Sequence, residues 1–157
     1  FVGEFGKVEL PVRRFDLIFL LGVTTYIDDE ALRRMMEALE PSLSEDGRVI
    51  VTFTNRRSAD WAMRRMFRIL PRSMFGRNYV LTQDFNIYTR SLGDVRRLIA
   101  GPFVVEEIRW LNHTIFPFNR IFKSGSVKVA KWLHGRVSKK GSGGILSSDL
   151  LLVLRKS

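Results

Sequence analysis

The stretch "FDLIFLLGVTTYIDDE", residues 15–30, has an acid at its second position, runs apolar, breaks at a glycine and then turns polar. A continuous apolar run of this length predicts a β-strand over Phe15 to Leu21, buried on both faces near the centre of a parallel sheet. Asp28 is placed to cap a helix in which Leu32, Met35, Met36 and Leu39 recur at helical spacing. Pro41 and the "SEDG" turn at 44–47 end it, and "RVIVTFTN", residues 48–55, has the β-branched content of a second strand. Ser58 then caps a second helix with an apolar stripe of Trp61, Ala62, Met66, Ile69 and Leu70, stopped by Pro71. Residues 72–90 are irregular and aromatic. Ser91 with Asp94 makes a capping box for a short helix to Ala100. Gly101-Pro102 breaks that helix, "FVVEEIRWLN" predicts a third strand over 103–112, and "DLLLVLRK", 149–156, predicts the last. The residues between these two strands are too many for a hairpin turn.

Strands alternating with helices predict an α/β layered domain with a largely parallel sheet. In such sheets ligands bind in the crevice beyond the carboxyl ends of the strands. Adjacent parallel strands would set Gly22 to Tyr26 beside Thr54 and Asn55, which marks a candidate site by position.

The 157 residues suit one domain of about 100–200 residues and permit a sizeable core. The chain has no cysteine, which excludes disulfides, thiol nucleophiles and thiolate metal sites and fits a reducing, cytoplasmic compartment. With two histidines, His113 and His134, an imidazole-rich metal centre is not expected. No segment reaches the roughly 20 apolar residues that span a bilayer. The net charge of +10 and pI near 10.7 predict attraction to phosphates, acidic substrates or anionic membrane, against the simpler reading of a solvated surface.

Residues 15–53, "FDLIFLLGVTTYIDDEALRRMMEALEPSLSEDGRVIVTF", resemble the fourth strand, following helix and fifth strand of class I S-adenosylmethionine-dependent methyltransferases. Asp46 stands where a second glycine is common in that family. "YTRSLGDVRRLIAGPFVVEEI" is similar to the family's next helix and sixth strand, with Pro102 departing from the usual glycine–phenylalanine pair, and "DLLLVLRK" resembles its antiparallel seventh strand. The resemblance covers nearly the whole chain, and the order and spacing of the motifs carry it. The family's glycine-rich cofactor loop and the acid ending its second strand are absent. "KKGSGG" reads as a glycine–serine turn, because no strand feeds it.

The resemblance implies a Rossmann-like, mostly parallel sheet with an antiparallel last strand, incomplete at the N-terminus, and residues 1–157 as a single incomplete domain. Phe1 to Glu4 is similar to the tail of the family's third strand. The cofactor it implies is S-adenosyl-L-methionine. By position, Glu4 would accept a hydrogen bond from the adenine amino group, with Phe5 beside the ring. Leu21 would lie against the cofactor, and Gly22 would let the backbone approach closely. Tyr26 and Asn55 would face the substrate, a small-molecule or lipid-like methyl acceptor. Each of these residues also has a plain reading as a strand-end or loop residue. Asp16 is read as structural, accepting backbone bonds, and His113 as lying away from the crevice.

Residues 114–147 would form an insertion or lid between the last two strands. There Val127, Ala130, Leu133 and Val137 share a helical face, ringed by Lys128, Lys131, Arg136, Lys139 and Lys140. A lid resting on anionic lipid, a nucleic-acid contact and a helix packed on its own domain are the three readings. Two functions follow: methyl transfer as part of a longer protein, or a non-catalytic methyltransferase-like module for binding or assembly. An apolar strand at 15–21 also expects partners on both edges, so an uncovered edge would favour self-association.

Overall fold

The computed structural model describes residues 14–67, 86–113, 123–137 and 144–157. The expectations for Glu4, Phe5, Ile69, Leu70, Pro71, Lys139 and Lys140, and for "KKGS" at 139–142, lie outside them.

Four strands form one sheet in the order β1-β2-β4-β3: β1 (Phe15–Leu20), β2 (Leu43–Thr54), β3 (Phe103–Leu111) and β4 (Asp149–Lys156). β2 runs parallel to β1, and β4 lies antiparallel between β2 and β3. Three strands therefore share a direction and the last opposes them, as the resemblance implied. Helices α1 (Asp29–Leu39), α2 (Ala59–Phe67) and α3 (Leu92–Ile99) follow the expected order, and α4 (Lys123–Val137) lies in the connection between β3 and β4.

Both expected caps on α1 and α3 form. Asp28 Oδ1 accepts from the Ala31 N–H at 2.7 Å, and Ser91 and Asp94 complete a reciprocal capping box. The period-2 rhythm of β2 puts Val49, Val51 and Phe53 on one face, opposite Leu154, Leu152 and Leu150 of β4. Against that layer α1 presents Leu32, Met36 and Leu39, and α3 presents Val95, Leu98 and Ile99; all are buried. β3 adds Phe103 and Trp110, its register shifting between Val105 and Glu107 so that Ile108 and Trp110 return to the core face.

Four expectations need correction. Among the described residues β1 is not central but at the edge of the sheet, with Ile18 and Leu20 on the core while Leu17 and Phe19 on the other face are exposed. A strand apolar on both faces here has only one face covered. The "SEDG" segment is not a free turn but part of β2, which takes five steps from Leu43 to Arg48 while β1 takes two from Phe15 to Leu17. On α4, the part-buried positions are Ser126, Ala130 and Leu133, whereas Val127 is exposed. The α2 stripe also stays largely outside the core, since Ala62 and Met66 are exposed. Asp16 is structural as expected, but its carboxylate accepts from the Ser44 hydroxyl at 2.8 Å.

Gly47 shows why the irregular part of β2 carries a glycine. A Cβ there would meet Leu43 Cγ at 2.6 Å and the Phe15 carbonyl oxygen at 2.9 Å. Leu43 is fully buried, so neither neighbour can yield without moving the core or β1. Gly47→Ala is therefore expected to destabilise the chain by about 1–3 kcal/mol, as overpacking does. Urea denaturation checks this; an unchanged midpoint would mean that β1 can slide away freely.

Candidate functional site

The polar break after β1 is fastened to the end of β2 by a set of threonines. The Gly22 N–H donates to Thr52 Oγ1 at 2.9 Å, the buried Thr24 hydroxyl donates to the Thr52 carbonyl, and the Thr25 and Thr54 hydroxyls lie 3.0 Å apart. The sequence placed Gly22 to Tyr26 beside Thr54, and this is the contact that results. Gly22 sits at φ +74°, the left-handed region that a side chain disfavours, and turns the chain from strand into a short 3-10 turn over Val23–Thr25.

A residue that the pattern did not single out holds the other side of this segment. Arg90 is 3% exposed, and its guanidinium donates to the Thr24 carbonyl at 2.6 Å, the Ile27 carbonyl at 2.7 Å and Asp29 Oδ1 at 2.8 Å. Its main chain is equally engaged, since Arg90 N–H donates to the Thr54 carbonyl at 2.9 Å and its carbonyl accepts from Arg56 N–H at 3.1 Å. Tyr88 N–H donates to the Thr25 carbonyl at 2.8 Å. The stretch from Tyr88 to Arg90 thus extends β2's end like a fragment of strand. Only its place directly before the Ser91 cap hinted at this.

Between these elements an open crevice of about 490 Å³ is lined by Asp28, Asp29, Glu30 and Asp94, by Arg56 and Arg90, and by Tyr88 and Thr89. Four carboxylates face two guanidinium groups, so the crevice is acidic within a chain of net charge +10. It lies at the carboxyl ends of β1 and β2, the end at which open α/β sheets bind ligands.

The expected site residues divide. Leu21 and Tyr26 are 57% and 60% exposed at the end of β1, and Gly22 lies between them with no heavy atom beyond its chain neighbours within 4 Å of where its Cβ would be. These three border the crevice segment without lining the crevice itself. Asn55 is placed differently from its expected role at the substrate. It is 2% exposed, its amide donates to the carbonyls of Gly144 and Ser147, and its Oδ1 accepts from Arg57 N–H at 3.0 Å. Those bonds fasten the loop entering β4, and they leave the side chain no face toward a substrate.

His113 follows β3 at the far edge of the sheet, buried, with Nδ1 2.9 Å from the Ser147 hydroxyl. Burial pushes its pKa down, with the nearby His134 adding to the effect and backbone bonds to Leu146 and Trp110 opposing it. Among the described residues no group of three or more His, Cys, Asp or Glu could hold a metal ion.

Asp94 is the most perturbed acid of the crevice. Hydrogen bonds from the Ser91 side chain and N–H, with Arg97 and Arg56 behind them, hold its carboxyl at about 2 instead of 3.8. A carboxylate depressed in the folded state stabilises the fold above its ordinary pKa, and that contribution is lost as pH falls. Asp94→Asn is expected to lower stability at neutral pH, with the gap from the parent closing between pH 3.8 and about 2. Denaturation midpoints across that range check it; a gap that persists at pH 2 would assign the effect to shape and not to charge.

No protein-family model matches the chain, and no curated protein matches it. Among solved structures, it is similar to a SAM-dependent methyltransferase from Archaeoglobus fulgidus, at 11% identity and TM-score 0.55, over 94% of this chain and 62% of that one. An S-adenosylmethionine-dependent methyltransferase from Mesorhizobium loti aligns at 14% identity and TM-score 0.52, covering 98% of this chain and 67% of that one. The pyocyanin biosynthetic protein PhzM aligns at 16% identity and TM-score 0.50, over 90% of this chain but 30% of its own length. The chain therefore spans only part of the solved structures it matches. Its fold is that of class I S-adenosylmethionine-dependent methyltransferases, over the part of that fold that ends in the antiparallel closing strand.

Proposed function

We propose that these residues form the C-terminal part of a methyltransferase domain that transfers a methyl group from S-adenosylmethionine to a small-molecule or lipid-like acceptor. The observation that carries this reading is an acidic crevice at the carboxyl ends of β1 and β2 in a protein of the opposite net charge. A field of that sign favours a cationic ligand.

The residues present fit such a cofactor as one wall of its site. Gly22 leaves open the space that a side chain would fill, so that a ligand can reach the backbone there. Leu21 offers an exposed apolar surface beside it. Glu4 and Phe5 are assigned to the adenine by position in the sequence, and Tyr26, exposed at the same strand end, to the acceptor. When bound, the cofactor supplies an already activated methyl group, so the protein's task is to align and desolvate the acceptor. Arg90 and the threonines serve this task by fixing the segment that carries Leu21, Gly22 and Tyr26.

The edge of β1 that has no partner among the described residues is where the rest of such a domain would pair. Calorimetric titration of S-adenosylhomocysteine tests the reading on two proteins: these 157 residues alone, and a longer chain that supplies strands to pair with β1. Binding is expected for the longer protein and little or none for the 157 residues. Equal binding by both would contradict a divided crevice. No binding by either would remove the cofactor and leave the non-catalytic module.

A further inference from the structure

We propose that helix α4 forms a docking surface for a bilayer carrying anionic headgroups. This inference is independent of the methyl-transfer reading. Between Glu107 and Asp149 the sequence contains no aspartate or glutamate, while eight lysines and arginines fall in the same stretch. Seven of these eight lie in the connection between β3 and β4, in a chain whose net charge is +10. A solvated face usually mixes both signs, and a one-signed run complements an anionic partner.

The structure adds how that charge is arranged. Ser126, Ala130 and Leu133, spaced four and three residues apart, are the part-buried positions of α4, a narrow and mostly small-residue stripe. The other described side chains of the helix face outward. Gly125, Val129, Trp132 and Arg136 follow one another at steps of four, three and four and share an exposed flank, with Lys128 and Lys131 beside it. Val129 and Trp132 are each 56% exposed, and the Arg136 guanidinium lies over the indole of Trp132 at 4.6 Å. Val127 and, just before β4, Ile145 are exposed as well.

Apolar and aromatic side chains beside lysines, with no acid among them, suit the boundary between acyl chains and phosphates. Tryptophan sits there with its ring in the apolar layer and its N–H toward water, and the lysine stems reach back to the headgroups. Valine and isoleucine offer neither the stacking nor the hydrogen bonds through which single-stranded nucleic acid is held. No helix among the described residues is long and apolar enough to cross a membrane, so α4 would lie on the surface.

Vesicle flotation tests the proposal, using phosphatidylcholine alone and phosphatidylcholine mixed with phosphatidylglycerol. The chain is expected to float with the mixed vesicles, not with the neutral ones, and to be released by high salt. Lys128→Glu with Lys131→Glu should weaken the partition at least about tenfold. Trp132→Phe should remove the blue shift of tryptophan fluorescence that accompanies binding. These positions are exposed, and unchanged far-ultraviolet circular dichroism shows that the variants fold. Equal flotation with neutral vesicles, or none with either, would overturn the proposal. So would retention of a single-stranded oligonucleotide by the parent but not the double variant, without vesicle binding, which would assign the surface to nucleic acid.

Discussion

Arg90 is the point at which the working end of this fold is held. One buried guanidinium takes two carbonyls of the segment after β1 and the first carboxylate of α1, while its own main chain continues the edge of β2. Arginine suits this place because its planar fork offers several donors in fixed directions and stays charged when buried. Removing it would strand two carbonyls beside a void, which costs more than the net value of the bonds themselves. Asp29, its ionic partner, remains largely exposed, so the arrangement depends more on satisfied geometry than on a sealed ion pair.

From that anchor the rest of the site follows. The segment fixed by Arg90 on one side and by Thr52 and Thr54 on the other can hold Gly22 in a left-handed turn at the mouth of β1. Holding it there points Leu21 and Tyr26 outward and leaves Asp28 and Asp29 at the crevice. The core beneath supplies the rigidity: Val49, Val51 and Phe53 against Leu154, Leu152 and Leu150, with α1 and α3 packed over them. On the opposite face of β1, Leu17 and Phe19 are exposed and form an apolar patch.

Much of this was legible in the residues because it depends on local periodicity. The alternation in "RVIVTFT" fixes which side of β2 meets the core, and Ser91 with Asp94 announces a helix by chemistry confined to four residues. What stayed hidden depends on partners far apart in the chain. An apolar run reveals that a strand can be buried on both faces, but not whether neighbours are there to bury it, so Phe15 to Leu21 read as central. "SEDG" carries turn chemistry and yet joins β2, because Gly47 is needed for close approach to Leu43 and Phe15. Asn55 looked available at a strand end, but its amide bonds to Gly144 and Ser147, some ninety positions later. Arg90 is one arginine among many in a basic chain, and nothing local distinguishes a buried one from the solvated rest.

The most direct test of this account is amide hydrogen exchange in the Arg90→Lys variant. Lysine keeps the charge but cannot reach three separate acceptors at once. Protection over residues 22–29 should fall about tenfold or more, as expected when charge-assisted bonds are lost, while residues 49–53 and 150–154 keep theirs. Unchanged exchange over 22–29, or an equal loss in the β2–β4 core, would contradict the claim that Arg90 shapes the site locally.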